Sequence, residues 1–478
     1  MIHAAAITFE VSESVGTRSF NLTSAPIEAV YGPLKTTVTL LKSDETICIV
    51  ASHLVTHTHQ IYRAIQRTVR QAIGLAENRV VVFSSHNHCS VQLTEEPAKA
   101  FHGEGVRVGT PKLTKPGKQF FEGLAIALRQ LPGQLQPVTV SWAVGREGRI
   151  SYNRKGRRAD GTTYLMREED RLKLGRDFRG DIDEEAPVIC LTDRHGQPVT
   201  FLTQFNAHPA TAFHPEHPLI HGEYPQVACD VLAAHYRRDN RPVPISFLQG
   251  CAGEINSKGL LSGDVARAER FGRMLGQSYI AACRKLRPSE TDRLALRRTV
   301  ARVPLRALPT LQVLLQEKQE LDHFIRRARR GDDDTRSCVG LNFPERLSPA
   351  YRATLVKPPQ QWNAWAIRMH QSGRQQQLPE FIEMELCIIR LGDVGIVGMP
   401  CEPFLSISRQ IARGSPSPLT IACGYTNVSY GYVPDGANVG DREYMSAFHR
   451  YTRRPPFRKP AGDTLAHAAI RELKHLFC

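Results

Sequence analysis

Between residues 61 and 83 the chain carries two periodicities back to back. Ile61, Ile65, Val69 and Ile73 recur at the period of one helix face. Gly74 follows, suited to the left-handed turn that ends a helix. Val80, Val81, Val82 and Phe83 then form an unbroken apolar run, as expected of a strand buried on both faces. Upstream, residues 37–41 and 47–51 read as strands either side of the Ser43-Asp44 turn. Strand, helix, strand in that order predicts a parallel pair. The fold class is therefore α/β, with mixed sheet or sheets flanked by helices.

The same grammar recurs downstream. Residues 188–192 and 199–205 flank a turn at 193–198 and predict a hairpin. A helix over 226–236 leads to a strand over 245–248. A second hairpin spans 385–390 and 394–397 around Leu391-Gly392-Asp393, and a helix near 466–476 closes the chain. The stretch 297–379 differs. It is rich in Arg and Gln, has helical periodicity over 311–325 and a loop at 331–334, and reads as a helical insertion. A length of 478 residues allows about three domains at roughly 150 residues each, or fewer, larger ones. No internal repeat divides the chain, and 297–379 reads as an insertion rather than an independent domain.

The net charge of +15 raises nucleic acid, an anionic membrane or an acidic substrate as partners. It clusters at 154–158, 326–330 and 453–459. No aromatic-interleaved RNA motif, zinc-finger spacing or helix-turn-helix pattern accompanies these runs, so no nucleic-acid partner is expected. A basic nucleic-acid or membrane-surface binding protein with an inactive site is the rival from another class. The eleven cysteines are odd in number and contain no CxxC pair, which argues against a disulfide framework. No apolar run reaches the length of about 18 residues that spans a bilayer, so no transmembrane segment is expected. The N-terminus lacks the basic and apolar regions of a signal peptide, which predicts a cytoplasmic protein. The sequence leaves the oligomeric state open.

Four segments carry the chemistry. Ser84-Ser85-His86-Asn87-His88-Cys89-Ser90 leaves the buried strand at its carboxyl end, the usual place for a site in an α/β sheet. His57 and His59 share the HxH spacing but open a helix, where the rings diverge, and are read as a decoy. Phe205-Asn206-Ala207-His208-Pro209 again follows a strand, with His214, His217 and His221 close behind, either as metal chemistry or as a polar loop. Met399-Pro400-Cys401-Glu402-Pro403 places a carboxylate after a buried hairpin strand, where a helix-opening Glu is the plainer reading. The fourth is the tyrosine-rich loop from Tyr425 to Tyr432, followed by Tyr444. Because His86, His208 and Glu402 each follow a predicted strand, one sheet edge could gather them.

Taken in order, these segments resemble the neutral/alkaline ceramidases. Asn-His-Cys-Ser after a strand is similar to that family's "THTHSGP", and "FNAHPAT" to its "FxxHPT". "QGCAGEINS" is similar to "GDVSPN", "VGMPCEPF" to "GLPGEPF", and "YGYVPDGANVGDREYMS" to "YVTTREEY…YEG". The likeness runs from near residue 5 to 478 and lacks the family's C-terminal β-sandwich, which implies a single neutral-ceramidase-like catalytic domain over 1–478, carrying the insertion at 297–379, with its metal site at strand ends.

The resemblance implies one zinc ion per chain, held by His86, His208, Glu402 and Tyr432. It implies His88 as acid/base, with Arg154 and Tyr444 as oxyanion donors. A family serine falls at Asn256, which excludes a serine nucleophile there. Cys89 and Cys401 replace small residues of the family pattern and are expected to narrow the substrate space; a role for Cys251 nearby is left open. The implied activity is zinc-dependent hydrolysis of an amide (N-acyl) bond in a small molecule, anionic or lipid-like. Arg154 flanked by Lys155, Arg157 and Arg158 favours an anionic, soluble amide. An intracellular ceramidase acting on N-acylsphingosine, or amide condensation at the same site, are the alternatives.

Overall fold

The computed structural model describes residues 1–19, 25–95 and 109–478. Its main sheet contains strands β1 (Ile2–Val11), β2 (Leu34–Lys42), β3 (Thr46–Ser52), β4 (Val80–Ser84), β5 (Gln136–Arg146), β6 (Glu185–Thr192), β7 (Pro198–Phe205) and β8 (Ile245–Gln249), in the spatial order β8-β7-β6-β5-β1-β2-β3-β4. A ninth, two-residue strand, Arg287–Pro288, pairs with β5. The second sheet is built from β9 (Leu294–Pro304), β10 (Phe381–Leu391), β11 (Val394–Gly398) and β12 (Leu419–Cys423), in chain order. Both sheets are mixed: β3 and β4, β7 and β8, and β11 and β12 run parallel, while the hairpins β6–β7 and β10–β11 are antiparallel.

The two sheets pack face to face. Their shared core holds Ile49, Val81, Phe83, Ile189, Leu202 and Leu248 from the first sheet and Leu296, Ile389, Ile396 and Ile421 from the second. Val80 and Val82 point the other way, into a core with helices α1 (His59–Ile73) and α2 (Lys115–Gln134). This double burial is why the run 80–83 has no polar alternation. Helices α3 (Glu223–His235) and α4 (Val265–Cys283) cover the β6–β8 end of the main sheet. Helices α7 (Leu405–Gly414) and α8 (Asp463–Phe477) cover the second sheet. The layers are therefore helices, sheet, sheet, helices.

Helix α1 starts and stops where the sequence predicts. Thr58 accepts from Ile61 N, and Gly74 at φ 71° donates its N–H to Arg70 O. The main sheet curls until its edge strand β8 reaches β2: Thr37 Oγ1 donates to Ile245 O at 2.8 Å. Within the stretch 297–379, residues up to Pro304 are strand, paired with β10 from Leu294↔Leu391 to Pro304↔Phe381. Helices α5 (Leu311–Arg329) and α6 (Pro349–Gln371) follow, packed through Leu321, Phe324, Ala353 and Val356. Among the described residues no helix is long and apolar enough to cross a membrane. All eleven cysteines are free, and only Cys478 is exposed.

One side chain fastens the two sheets where the site will form. Asn427, at φ 64°, accepts from Val82 N through Oδ1 at 3.0 Å and donates its own N–H to Val82 O at 2.6 Å. Its Nδ2 reaches Cys387 Sγ of the second sheet at 3.2 Å. Asn427→Ala removes the acceptor for a buried N–H and puts a Cβ-branched-free but still strained residue in the left-handed region. The expected loss is about 1–3 kcal/mol of stability by urea unfolding. Asn427→Asp keeps Oδ1 but buries a carboxylate where Nδ2 donated to Cys387 Sγ, and should lose at least as much; equal stability of Asn427→Ala and the parent would contradict this role.

Candidate metal centre

The loop after β4 turns sharply at His86, whose φ is 61°. Asn87 pins it: Nδ2 donates to His53 O and His221 O, and Oδ1 accepts from Cys89 N. His86 Nδ1 lies 2.9 Å from Val55 O. A carbonyl only accepts, so Nδ1 carries the ring proton and Nε2 presents a lone pair. After β7, His208 is held the same way, with Nδ1 2.6 Å from Ala252 O. The small ribbon Ser151–Asn153 with Ile255–Ser257 supports this second loop and brings Arg154 to it.

Glu402 and Tyr432 face each other in register on a two-stranded parallel ribbon, Glu402–Pro403 with Tyr432–Val433. Glu402 Oε2 lies 3.0 Å from His208 Nε2 and 3.5 Å from His86 Nε2. One ligand atom from each of the three residues falls within 4.8 Å of the others, and all three residues are buried. Tyr432 Oη is 3.2 Å from His208 Nε2.

This donor set fits a small divalent cation. With both Nδ1 protons on carbonyls, two lone pairs point at a carboxylate, and acceptors at 3.0 Å and 3.5 Å repel unless a cation lies between them. A tetrahedral ion at about 2.0–2.1 Å from each ligand spaces them by about 3.3 Å, which those separations bracket. Burial, the largest influence, holds the pKa of both His86 and His208 well below the usual imidazole value, so the rings stay neutral and able to bind metal. Burial raises the Tyr432 phenol, while the Arg154 guanidinium, whose Nη2 donates to Tyr432 Oη at 2.8 Å, acts the other way.

His88 lies outside the converging group but adjoins it, Nε2 to Nε2 with His86 at 3.2 Å. Burial draws its pKa down to about 4. Arg154 Nη2 is also bound to Gly253 O at 2.9 Å, and Nη1 has a long 3.5 Å contact with Asn256 Oδ1. Tyr444 packs edge-on against Tyr432, ring centroids 5.3 Å apart.

The remaining histidines lie elsewhere. His57 Nε2 pairs with Ser52 Oγ, and His59 Nε2 with Tyr430 Oη. His217 meets Glu28, His214 stacks near His217, and His221 accepts from Glu223 N.

Three expectations change. One sheet edge does not gather the ligands: His86 and His208 leave strands of the main sheet, and Glu402 leaves the second, so the site lies where two sheets meet. Glu402 does not open helix α7; its N-terminal amide, Leu405 N, donates instead to Glu254 at 3.0 Å. The cysteines turn away from the centre. Cys89 Sγ faces Glu223, Cys251 Sγ faces Ala422 O, and Cys401 joins the core with Met399 and Phe404.

Tyr425, named in the tyrosine-rich loop but given no role, has its hydroxyl 3.1 Å from His208 Nε2 and its ring 4.3 Å from that of His86. It directly follows Gly424 at the end of β12, so the strand-end rule that found His86 points to it as well.

No protein-family model matches the chain, and no curated protein matches it in sequence. Solved structures do. A ceramidase complexed with C2 superposes with a TM-score of 0.65 at 14% identity, covering 99% of this chain and 75% of that one. Neutral ceramidase from Pseudomonas aeruginosa gives 0.63 at 14% identity over the same shares. The chain therefore has a ceramidase-like α/β fold, with a buried His86, His208 and Glu402 group that could hold a metal ion.

Single alanine variants of His86, His208 and Glu402 should each lower the bound divalent metal well below that of the parent by elemental analysis. The His57→Ala/His59→Ala double variant should retain it. Full metal retention in all three single variants would remove the site.

Glu254 gives a separate test. Burial raises its pKa from 4.5 to about 8, so the folded chain holds a proton that the unfolded chain releases above pH 4.5. This contribution to stability is complete below about pH 4.5 and is lost as pH rises through about 8. Glu254→Gln keeps an acceptor for Leu405 N and should be the more stable form at pH 8, by about 2–4 kcal/mol. The two proteins should converge at pH 4.5; parallel stability curves would contradict the buried proton.

Proposed function

We propose that the protein is a zinc-dependent hydrolase of N-acyl amide bonds, acting as one catalytic unit over 1–478 with the helical pair α5 and α6 inserted between strands β9 and β10. The observation that carries this reading is the convergence of His86 Nε2, His208 Nε2 and Glu402 Oε2, both rings oriented by backbone carbonyls. The likeness in fold to ceramidases supports it.

His86, His208, Glu402 and Tyr432 would hold the ion. Glu402 and a Tyr432 phenolate would offset its charge beside the Arg154 guanidinium. When bound, zinc supplies Lewis acidity and lowers the pKa of a water to about 7. His88 is neutral at that pH and half-buried, so its free ring nitrogen can take the proton of the attacking water and return it to the leaving amine. Arg154 Nη1 and the Tyr444 hydroxyl are the donors assigned to the carbonyl oxygen as it gains charge, a role commonly worth about 2.7–4 kcal/mol per donor. Asn256, buried and donating to Ser257 O at 2.7 Å, takes no part as a nucleophile.

The basic run beside the site does not reach for an anion. Lys155 Nζ lies 2.6 Å from Asp441 and 3.3 Å from Glu443, Arg157 also meets Asp441, and Arg158 stacks over Tyr164 at 4.6 Å. With Lys155 and Arg157 paired internally and Arg158 exposed over Tyr164, the substrate reading moves from an anionic amide to a lipid-like one, supported by the likeness in fold to ceramidases. Ten buried free thiols are consistent with a reducing, cytoplasmic setting.

His88→Ala should keep its zinc and lose about 10²- to 10⁴-fold in kcat. Loss of metal with activity would move His88 into the ligand set. In a side-by-side assay, N-acylsphingosine should be cleaved faster than soluble anionic N-acyl amides. The reverse order would restore the anionic substrate, and no cleavage of either would remove the amidase reading.

A further inference from the structure

Glu223, the first residue of helix α3, is a buried carboxyl that the chemistry above does not use. It is 0% exposed, and its backbone sits in the left-handed region at φ 54°. A non-glycine residue keeps that conformation only where its surroundings over-determine it. Among the described residues no cation pairs with it, and Oε2 is buried without a hydrogen-bond partner. Burial pushes the carboxyl up to about 7, against the pull of backbone N–H groups at Ala212, Phe213, Tyr224 and Thr211. Burying a carboxyl without a counter-ion is costly, and what offsets the cost here is the set of bonds it accepts.

Those bonds tie together the two loops that carry the candidate histidines. Oε1 accepts from Ala212 N at 2.7 Å and from Phe213 N at 3.2 Å, on the loop that bears His208. The Cys89 thiol, on the loop after β4, donates to the same oxygen at 3.9 Å. The backbone repeats the link. Glu223 N donates to His221 Nδ1 at 2.9 Å, His221 N donates to Cys89 O at 3.2 Å, and Asn87 Nδ2 donates to His221 O at 2.8 Å. Cys89 and Ala212 share a small apolar cluster with Ala268, and Phe213 packs against it.

His88 stands between the two tethered points. It immediately precedes Cys89, and its ring lies 5.1 Å from that of Phe213, tilted by 43°. Its contact with His86 Nε2, at 3.2 Å, is to a nitrogen assigned to the metal. The Phe213 ring and the loop backbone are left to set its orientation.

We propose that Glu223 is a positioning residue for His88, fixing at once the loop that carries His88 and the Phe213 ring on which it rests. This rests on the hydrolase reading, in which His88 moves the proton. A base must be held within reach of the attacking water, and a misplacement of about 1 Å is enough to cost about 10²-fold in rate.

The test joins kinetics on N-acylsphingosine to carbon–proton NMR of the full chain labelled at histidine, with the His88 ring signal assigned by its loss in His88→Ala. Glu223→Ala should lower kcat about 10²-fold with KM little changed and bound metal at the parent level. Its His88 signal should move towards the position seen in Phe213→Leu, where the ring current is absent. Glu223→Gln, which keeps the acceptor for Ala212 N and Phe213 N, should restore both kcat and signal. In the His88→Ala background, Glu223→Ala should cost nothing further, because it acts only through His88. Glu223→Asp, one methylene shorter, draws the acceptor back from Ala212 N and should move the signal the same way; it decides the matter if Glu223→Ala does not fold. A His88 signal unmoved in the folded variant, or an equal loss of kcat with and without His88, overturns the proposal. A parent that cleaves no amide removes the hydrolase reading instead, and the His88 signal then decides the placement alone.

Discussion

Two imidazole lone pairs and a carboxylate oxygen point at one another, and this is the interaction on which the site depends. The carbonyls of Val55 and Ala252 fix the ring protons on the far side of His86 and His208, so neither ring can donate to Glu402. In a buried setting that arrangement is repulsive by itself and favourable around a cation. The chain invests heavily in it: a left-handed backbone at His86, the Asn87 brace, and the in-register pairing of Glu402 with Tyr432 all serve to bring these atoms together.

The architecture explains how segments so far apart in sequence converge. Loops at the carboxyl ends of β4 and β7 come from one sheet, and those after β11 and β12 from the other. Bridges Phe83↔Thr426 and Gly250↔Cys423 join the two sheets at these ends. The apolar layer between the sheets, with Phe83, Leu248 and Ile421, sets their separation. The site is a consequence of sheet-on-sheet packing.

Much of this was legible in the residues. The period of Ile61, Ile65 and Val69 and the unbroken run 80–83 identified α1 and β4, because each pattern has one efficient way to be buried. The segments bearing His86, His208 and Glu402 were legible because each follows a strand, while their grouping on one ion came from the resemblance to the ceramidases. The long strand β1, Ile2–Val11, carries no comparable signal. Its Ala4-Ala5-Ala6 run favours neither period, and pairing with β2 along the whole strand decides its conformation. Helix α2 contains Pro132, which disguises its last turn. The strand at 294–304 is masked by its arginines, which pair outward with Glu385, Glu383 and Glu472. Which sheet each ligand comes from, and the internal pairing of Lys155, are tertiary facts that no local pattern encodes.

X-ray absorption at the zinc edge on the purified protein tests the metal centre most directly. The proposed donor set with a bound water predicts a four- or five-coordinate ion with nitrogen and oxygen ligands at about 2.0–2.2 Å and the multiple-scattering signature of two imidazoles, a signal lost together with the ion in His208→Ala. A spectrum with sulfur at about 2.3 Å, or one unchanged in that variant, would place any zinc elsewhere and contradict the account.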